Sequence, residues 1–286
     1  NSTGMYSTSK GLYSILYSDI LATYAKSIGQ DFMIRANAGF QFREEEYDDQ
    51  TTRTEGGLDD VNWFSLSNTV RPLIGTRSRS ELLRYAYLGI LNFSFRDYLF
   101  IEGTARQEYS STLPPGSNSF FYPSVNAGFV FSEAMTLPSF INFGKLRASY
   151  GVVGTSPEIY SANILYAKQS IQTVDGSVPY LSTNSSYGNN LIKPENKYEL
   201  EFGLETRMID NKIGLDLTYF NSRIVDQIIP LQLPSSTGAT SILANVGELR
   251  SNGVEIGLNI TPIDRAVRWD ARINFATVMT KAHSLI

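Results

Sequence analysis

From Asp31 to Arg43 the sequence alternates with a period of two: Phe32, Ile34, Ala36, Ala38, Phe40 and Phe42 against Met33, Arg35, Asn37, Gly39, Gln41 and Arg43. Side chains spaced by two share one face of a strand, so this segment has one wholly apolar face and one mostly polar face. An average strand has about five or six residues. This one is more than twice that. Tilted, a strand of about 9–11 residues already crosses the hydrocarbon of a bilayer.

The pattern recurs. Leu83, Tyr85, Tyr87, Leu91 and Phe93 share a face, although Leu88 and Ile90 blur the other. After Arg96-Asp97, Leu99, Ile101, Gly103 and Ala105 oppose Glu102, Thr104, Arg106 and Glu108, completing a hairpin. Val125, Ala127, Phe129 and Phe131 follow, then Leu146, Ala148, Tyr150 and Val152 opposite Lys145, Arg147, Ser149 and Gly151. Leu200, Phe202 and Leu204 alternate with Glu199, Glu201, Gly203 and Glu205. Ile213, Leu215, Leu217 and Tyr219 come next, after a turn of Asp-Asn type at Asp210-Asn211. Val254, Ile256, Leu258 and Ile260, and then Trp269, Ala271, Ile273 and Phe275, complete the series. With a weaker strand near Tyr13 to Lys26, about ten strands are expected.

Short links, around Gly29, at Arg96-Asp97, at Asp210-Asn211 and near Pro262 to Val267, alternate with long polar ones. The long ones span Glu44 to Ser80, Ser111 to Ser119, Thr155 to Asn196 and Ile229 to Arg250, and the link from Phe131 to Phe143 falls on the short side. Outer-membrane barrels have short periplasmic turns and longer extracellular loops. The predicted fold class is therefore all-β: an antiparallel transmembrane β-barrel. A secreted, soluble β-rich carbohydrate-binding module shares the strand pattern and is the alternative. Folding without detergent would separate the two.

Composition narrows the function classes. With one His and no Cys, schemes built on Ser-His-Asp chemistry, zinc or a thiolate lack their parts, and no enzyme is expected. His283 reads as a solvated residue near the end of the sequence. A formal charge of -4 without Lys/Arg clusters argues against a nucleic-acid partner. Carboxylate pairs such as Glu199 with Glu201 suit glycosidases only when one is buried and its pKa raised, whereas same-face carboxylates beside Lys145 and Arg147 read as a wet wall.

Tyr122-Pro123-Ser124-Val125-Asn126-Ala127-Gly128-Phe129-Val130-Phe131-Ser132-Glu133 and Phe143-Gly144-Lys145-Leu146-Arg147-Ala148-Ser149-Tyr150-Gly151 resemble a signature of SusC/RagA-type TonB-dependent transporters. Tyr98 to Arg106, Leu191-Ile192-Lys193-Pro194-Glu195 and Asn245 to Glu255 match in order, so the resemblance runs from about Leu83 to Phe275. It implies a large plugged barrel in the cell outer membrane that imports glycans or peptides, draws energy from TonB and works with a SusD-like surface lipoprotein, and of such a barrel about ten strands are an incomplete part. A siderophore or vitamin receptor of the TonB-dependent class is the neighbouring alternative. On this reading residues 1–286 are part of one transmembrane β-barrel domain. The plug, the TonB box and a last strand ending in an aromatic are not in the sequence, which ends at Leu285-Ile286.

The lumen face is expected to include Arg35, Glu102, Arg106, Lys145, Arg147, Glu199 and Glu255. Trp63, Phe64, Tyr180 and Tyr187, in long extracellular loops, are candidates for substrate or partner contact through their aromatic faces. The acidic run Glu44 to Asp49, with Asp59-Asp60, offers hard oxygen ligands for Ca²⁺ but lacks EF-hand spacing, and reads first as a solvated loop. No other metal or cofactor is expected. Trp269 fits an interfacial aromatic girdle, whereas Tyr98 and Phe100 fall on the lumen parity.

Overall fold

The computed structural model describes residues 4–173 and 176–284. Strands β1 (Ser7–Ile28), β2 (Phe32–Glu55), β3 (Arg71–Phe95), β4 (Leu99–Ser110) and β5 (Ser119–Phe129) come first. A one-turn helix, α1 (Phe131–Ala134), precedes β6 (Ile141–Thr155), β7 (Tyr166–Thr173), β8 (Gly176–Thr183) and β9 (Ser186–Tyr187). Then come β10 (Glu195–Met208), β11 (Ile213–Val225), β12 (Ile228–Gln232), β13 (Ser241–Asn245), β14 (Glu248–Asp264) and β15 (Arg268–Ser284). Ten of these form one sheet in the order β1-β2-β3-β4-β5-β6-β10-β11-β14-β15. Every neighbour in it is also the next long strand in sequence, the up-and-down connectivity that the alternating links predict. The end at Leu285-Ile286 lies outside the described residues.

The short links are tight. Gly29 has φ 65°, and Ile209, Asp210 and Asn211 are all left-handed at φ 54°, 52° and 63°. Asp and Asn tolerate that region, but β-branched Ile209 does not. Its N–H donates to the Phe140 carbonyl at 2.7 Å, and its own carbonyl accepts from Lys212 N at 3.0 Å, so both backbone groups are held. The middling link carries α1.

Three of the expected long links carry strands in the structure. Glu44 to Ser80 is mostly strand: β2 continues to Glu55 and β3 begins at Arg71, leaving 56–70 as the connection. The charges that suggest a loop are paired across the strands, Arg77 Nε to Asp48 Oδ1 at 2.8 Å and Arg79 to Glu46 at 2.7 Å. Opposite charges facing each other support a sheet as apolar pairs do. The Thr155 to Asn196 link holds the β7–β8 hairpin and β9, and Ile229 to Arg250 holds β12 and β13, with β12-β13-β9 forming a small sheet.

By internal packing the chain divides into two units. The first comprises residues up to Ser18 with Phe42–Tyr85, the second Asp19–Gln41 with Ala86 onward. In the first, buried Asn68 organises the loop by donating Nδ2 to the Asp60 and Trp63 carbonyls, both at 2.7 Å, and accepting from Asp60 N at 2.9 Å. In the second, Leu113, Phe120, Ala162 and Ile192 make a compact cluster with Tyr122, Ile228 and Leu243. That cluster draws its residues from the long-link end.

Candidate functional site

Cross-strand partners share a face, so the register sorts the side chains of the second unit. Glu102, Asn126, Ser149 and Glu201 lie in one row across β4, β5, β6 and β10. Phe100, Gly128, Arg147, Gly203, Thr218 and Glu255 form the next, and Lys145, Glu205 and Asp216 a third. Glu199 and Arg106 keep the same parity, opposite Ser222 and Tyr122 respectively. The opposite face is apolar in rows of its own. Leu99, Phe129, Leu146, Leu204, Leu217, Ile256 and Phe275 make one, and Ile101, Ala127, Ala148, Phe202, Tyr219 and Val254 another.

The polar face is hollowed into two concavities that share Arg147. One, about 830 Å³, is lined by Arg35, Asn37, Asn92, Glu102, Asn126, Lys145 and Arg147 among others. The other, about 670 Å³, takes in Asp216, Thr218, Glu255, Asn259, Arg272 and Asn274. The structure thus brings six of the seven expected wall residues onto one face by register and places Arg35 in the concavity lined by Glu102, Lys145 and Arg147.

Arg147 organises this face. Its guanidinium passes over β10 to reach β11, donating to Asp216 at 2.9 Å and to Thr218, with Glu201 at 3.8 Å. Gly203 makes the crossing possible, because a Cβ there would stand 2.0 Å from Arg147 Nε and 2.5 Å from its Cγ. Other glycines seat rings in the same way. A Cβ at Gly144 would meet the Phe131 ring at 2.1 Å, one at Gly154 the Tyr122 ring at 2.7 Å, and one at Gly253 the Phe220 ring at 2.5 Å. Arg106 donates to Gln41 and, at 2.8 Å, to Glu108.

Aromatic side chains gather near the Arg96-Asp97 turn. Phe32 lies 4.5 Å from Phe95 and 5.7 Å from Phe93 between ring centroids. Tyr98 meets Phe95 at 5.3 Å and Phe129 at 6.1 Å, both edge-on. Tyr98 therefore packs with aromatics of the apolar face, against the parity expected for it. It sits in the turn, outside the ladder, where parity does not apply. Trp269 is exposed on β15, opposite Ile263.

The candidate contact aromatics belong to separate elements. Trp63 and Phe64 belong to the first unit, exposed in the 56–70 loop, with Phe64 6.5 Å from the Tyr6 ring. Tyr180 lies on β8 and Tyr187 on β9, in two different small sheets, and Tyr187 Oη donates to the Thr237 carbonyl at 3.1 Å. The acidic run belongs to β2, and arginines engage Glu46 and Asp48. Among the described residues no three His, Cys, Asp or Glu side chains stand together as a metal site.

At the start of β14, hydrogen bonds from Arg223 and Arg250, at 2.7 and 2.6 Å, hold the Glu248 carboxyl down at about 2. The Arg77 hydrogen bond likewise lowers Asp48.

Residues 2–282 match the family described as TonB dependent receptor-like, beta-barrel. The chain belongs to this family. TonB-dependent receptor barrels are outer-membrane proteins that act as receptors and transporters, not enzymes. The chain is 28% identical over 246 residues to TonB-dependent receptor P26 of Formosa agariphila, covering 84% of this chain and 25% of that protein. TonB-dependent receptor P3 of the same organism is 28% identical over 197 residues, covering 66% and 19%. Among solved structures, the RagAB peptide importer in its closed-closed state superimposes with a TM-score of 0.86 at 20% identity, over 98% of this chain and 31% of that one. This TonB-dependent barrel sequence spans about a fifth to a quarter of the length of these two curated relatives.

Gly203, Asp216 and Thr218, the partners of Arg147, are not evident in the sequence as a set. A glycine interrupting the acidic face at Glu199, Glu201, Gly203 and Glu205 is the one local sign of them.

Proposed function

We propose that this chain is part of the wall of an outer-membrane importer for oligomeric nutrients, glycans or peptides. It is energised through TonB and works with a SusD-like surface lipoprotein over its mouth. The observation that carries the proposal is the register. Charged and amide side chains from β2 to β14 share one face, while rows of Leu, Ile, Phe and Ala run unbroken on the other. Such a wall has one side for water and one for lipid. Arg35, Glu102, Arg106, Lys145, Arg147, Glu199 and Glu255 are then lumen residues, facing substrate or a plug. Trp63, Phe64, Tyr180 and Tyr187 offer contacts on the extracellular side. The SusC-like motifs and the likeness to the RagAB importer favour oligomers over siderophores as cargo.

The test is uptake by the intact cell. Disrupting the full-length gene, or that of an adjacent surface lipoprotein, should abolish growth on one class of oligosaccharide or oligopeptide and leave growth on its monomers unchanged. Loss of siderophore-iron or vitamin uptake, with oligomer growth intact, would overturn the proposal.

A further inference from the structure

The apolar face is not uniformly bulky. Ala127 and Ala148 are cross-strand partners, and they set a notch between the larger side chains of Phe129, Leu146, Phe202 and Tyr219. The notch is part of an apolar groove of about 430 Å³ that crosses β4, β5, β6, β10 and β11. Five strands about 4.8 Å apart make it roughly 19 Å long. Arg147 also borders it, with Gly128 and Gly203, but these three belong to the row of the opposite parity, so the Arg147 side chain is directed to the polar face. Barrel strands tilt by about 35–45°, so a groove running across them descends obliquely through the bilayer.

A long, narrow apolar groove needs an occupant of the same form. Apolar rows continue on both sides of it, so it opens directly onto the surface that a TonB-dependent barrel presents to lipid. We propose that the groove is a fixed acyl-chain site, which holds one hydrocarbon tail of a membrane phospholipid. The proposal rests on the apolar face meeting lipid. The tail fills the space that two alanines leave open, where a larger residue would bring its own methyl groups.

The experiment uses the full-length protein extracted in mild detergent. Native mass spectrometry counts retained lipids in wild type, in two groove-filling variants, Ala148→Phe and Ala127→Leu, and in Ile273→Phe, on the same face outside the groove. Wild type and Ile273→Phe should keep one more lipid than either filled variant. In parallel, wild type in vesicles of phosphatidylcholine bearing a photoactivatable tail should be labelled preferentially at 119–129 and 141–155, which needs no variant to fold. Equal lipid counts in wild type and filled variants, with label spread evenly over the apolar face, would overturn the site and leave the lipid-facing reading intact. Absence of tail label from the whole face would overturn both. A dimer that Ala148→Phe splits would assign the groove to a second copy of the chain and also overturn the proposal.

Discussion

Gly203→Ala tests whether the Arg147 crossing is seated by its glycine. The added methyl would lie within 2.0–2.8 Å of Arg147 Nε, Cγ and Cδ, so the whole stem must lift away. The guanidinium then loses Asp216, at 2.9 Å, and Thr218. A hydrogen bond to a charged partner contributes about 1.5–3 kcal/mol where solvent is excluded. Here the two side chains are 38% and 44% exposed, and screening reduces that to about 1 kcal/mol. Replacing a strand glycine by alanine returns about 0.5–1 kcal/mol of backbone entropy. The single variant should therefore change stability little. The informative quantity is a double-mutant cycle with Arg147→Ala, because there the methyl meets nothing and Gly203→Ala should stabilise by about 0.5–1 kcal/mol. Urea unfolding of the full-length protein in lipid vesicles, followed by tryptophan fluorescence, measures all four corners. Coupling of about 1 kcal/mol is expected, and additivity within about 0.3–0.5 kcal/mol would refute the seat.

Ile256→Lys, in the middle of an apolar row, should destabilise the folded protein in vesicles by about 2–4 kcal/mol; a neutral result would contradict burial of that face in lipid. Gly253→Val should cost about 1–3 kcal/mol in the same assay, because its Cβ would meet the Thr277 carbonyl oxygen at 2.5 Å, and backbone cannot swing aside as a side chain can. Glu248 has a depressed carboxyl, so its contribution is complete above the unfolded value near 4.5 and is lost as pH falls toward about 2. Glu248→Gln should flatten that part of the acid-unfolding curve, and an unchanged curve would remove Glu248 as its source. Single cysteines at Glu201 and at Ala148, adjacent in the ladder but opposite in face, should differ in reaction with a charged maleimide in vesicles, fast at the first and slow at the second. Equal rates would refute the two-faced wall.

Much of the sheet is legible in the sequence because each long strand advertises itself by alternation. Phe32 to Phe42 and Leu200 to Leu204 assign strand, face and environment together. Legibility ends where stability comes from pairing across distance. Glu44 to Asp49 has the composition of a solvated loop, and only the opposed Arg77 and Arg79, about thirty positions away, make it strand. The hairpins and small sheets inside the long links, β7 to β9 with β12 and β13, are too short to show a period. At the wall, the parity of Lys145, Arg147 and Glu199 is readable locally. The join of Arg147 to Asp216 is not, since it depends on which residues the register sets side by side. Tyr98 departs from its expected side because turn residues carry no parity.

The glycine seats bear on how the sheet finds its alignment. A slip of one residue exposes itself at once by turning every apolar side chain to the wrong environment. A slip of two does not: inside stays inside, and Arg147 would merely exchange Gly203 for Glu201 or Glu205 as its neighbour, a pairing that charge alone favours. What such a slip cannot keep is the coincidence of each bulky group with a residue that has no side chain. Phe131 over Gly144, Tyr122 over Gly154, Arg147 over Gly203 and Phe220 over Gly253 act as keys cut for a single alignment. They reject the errors that hydrophobic patterning leaves undetected.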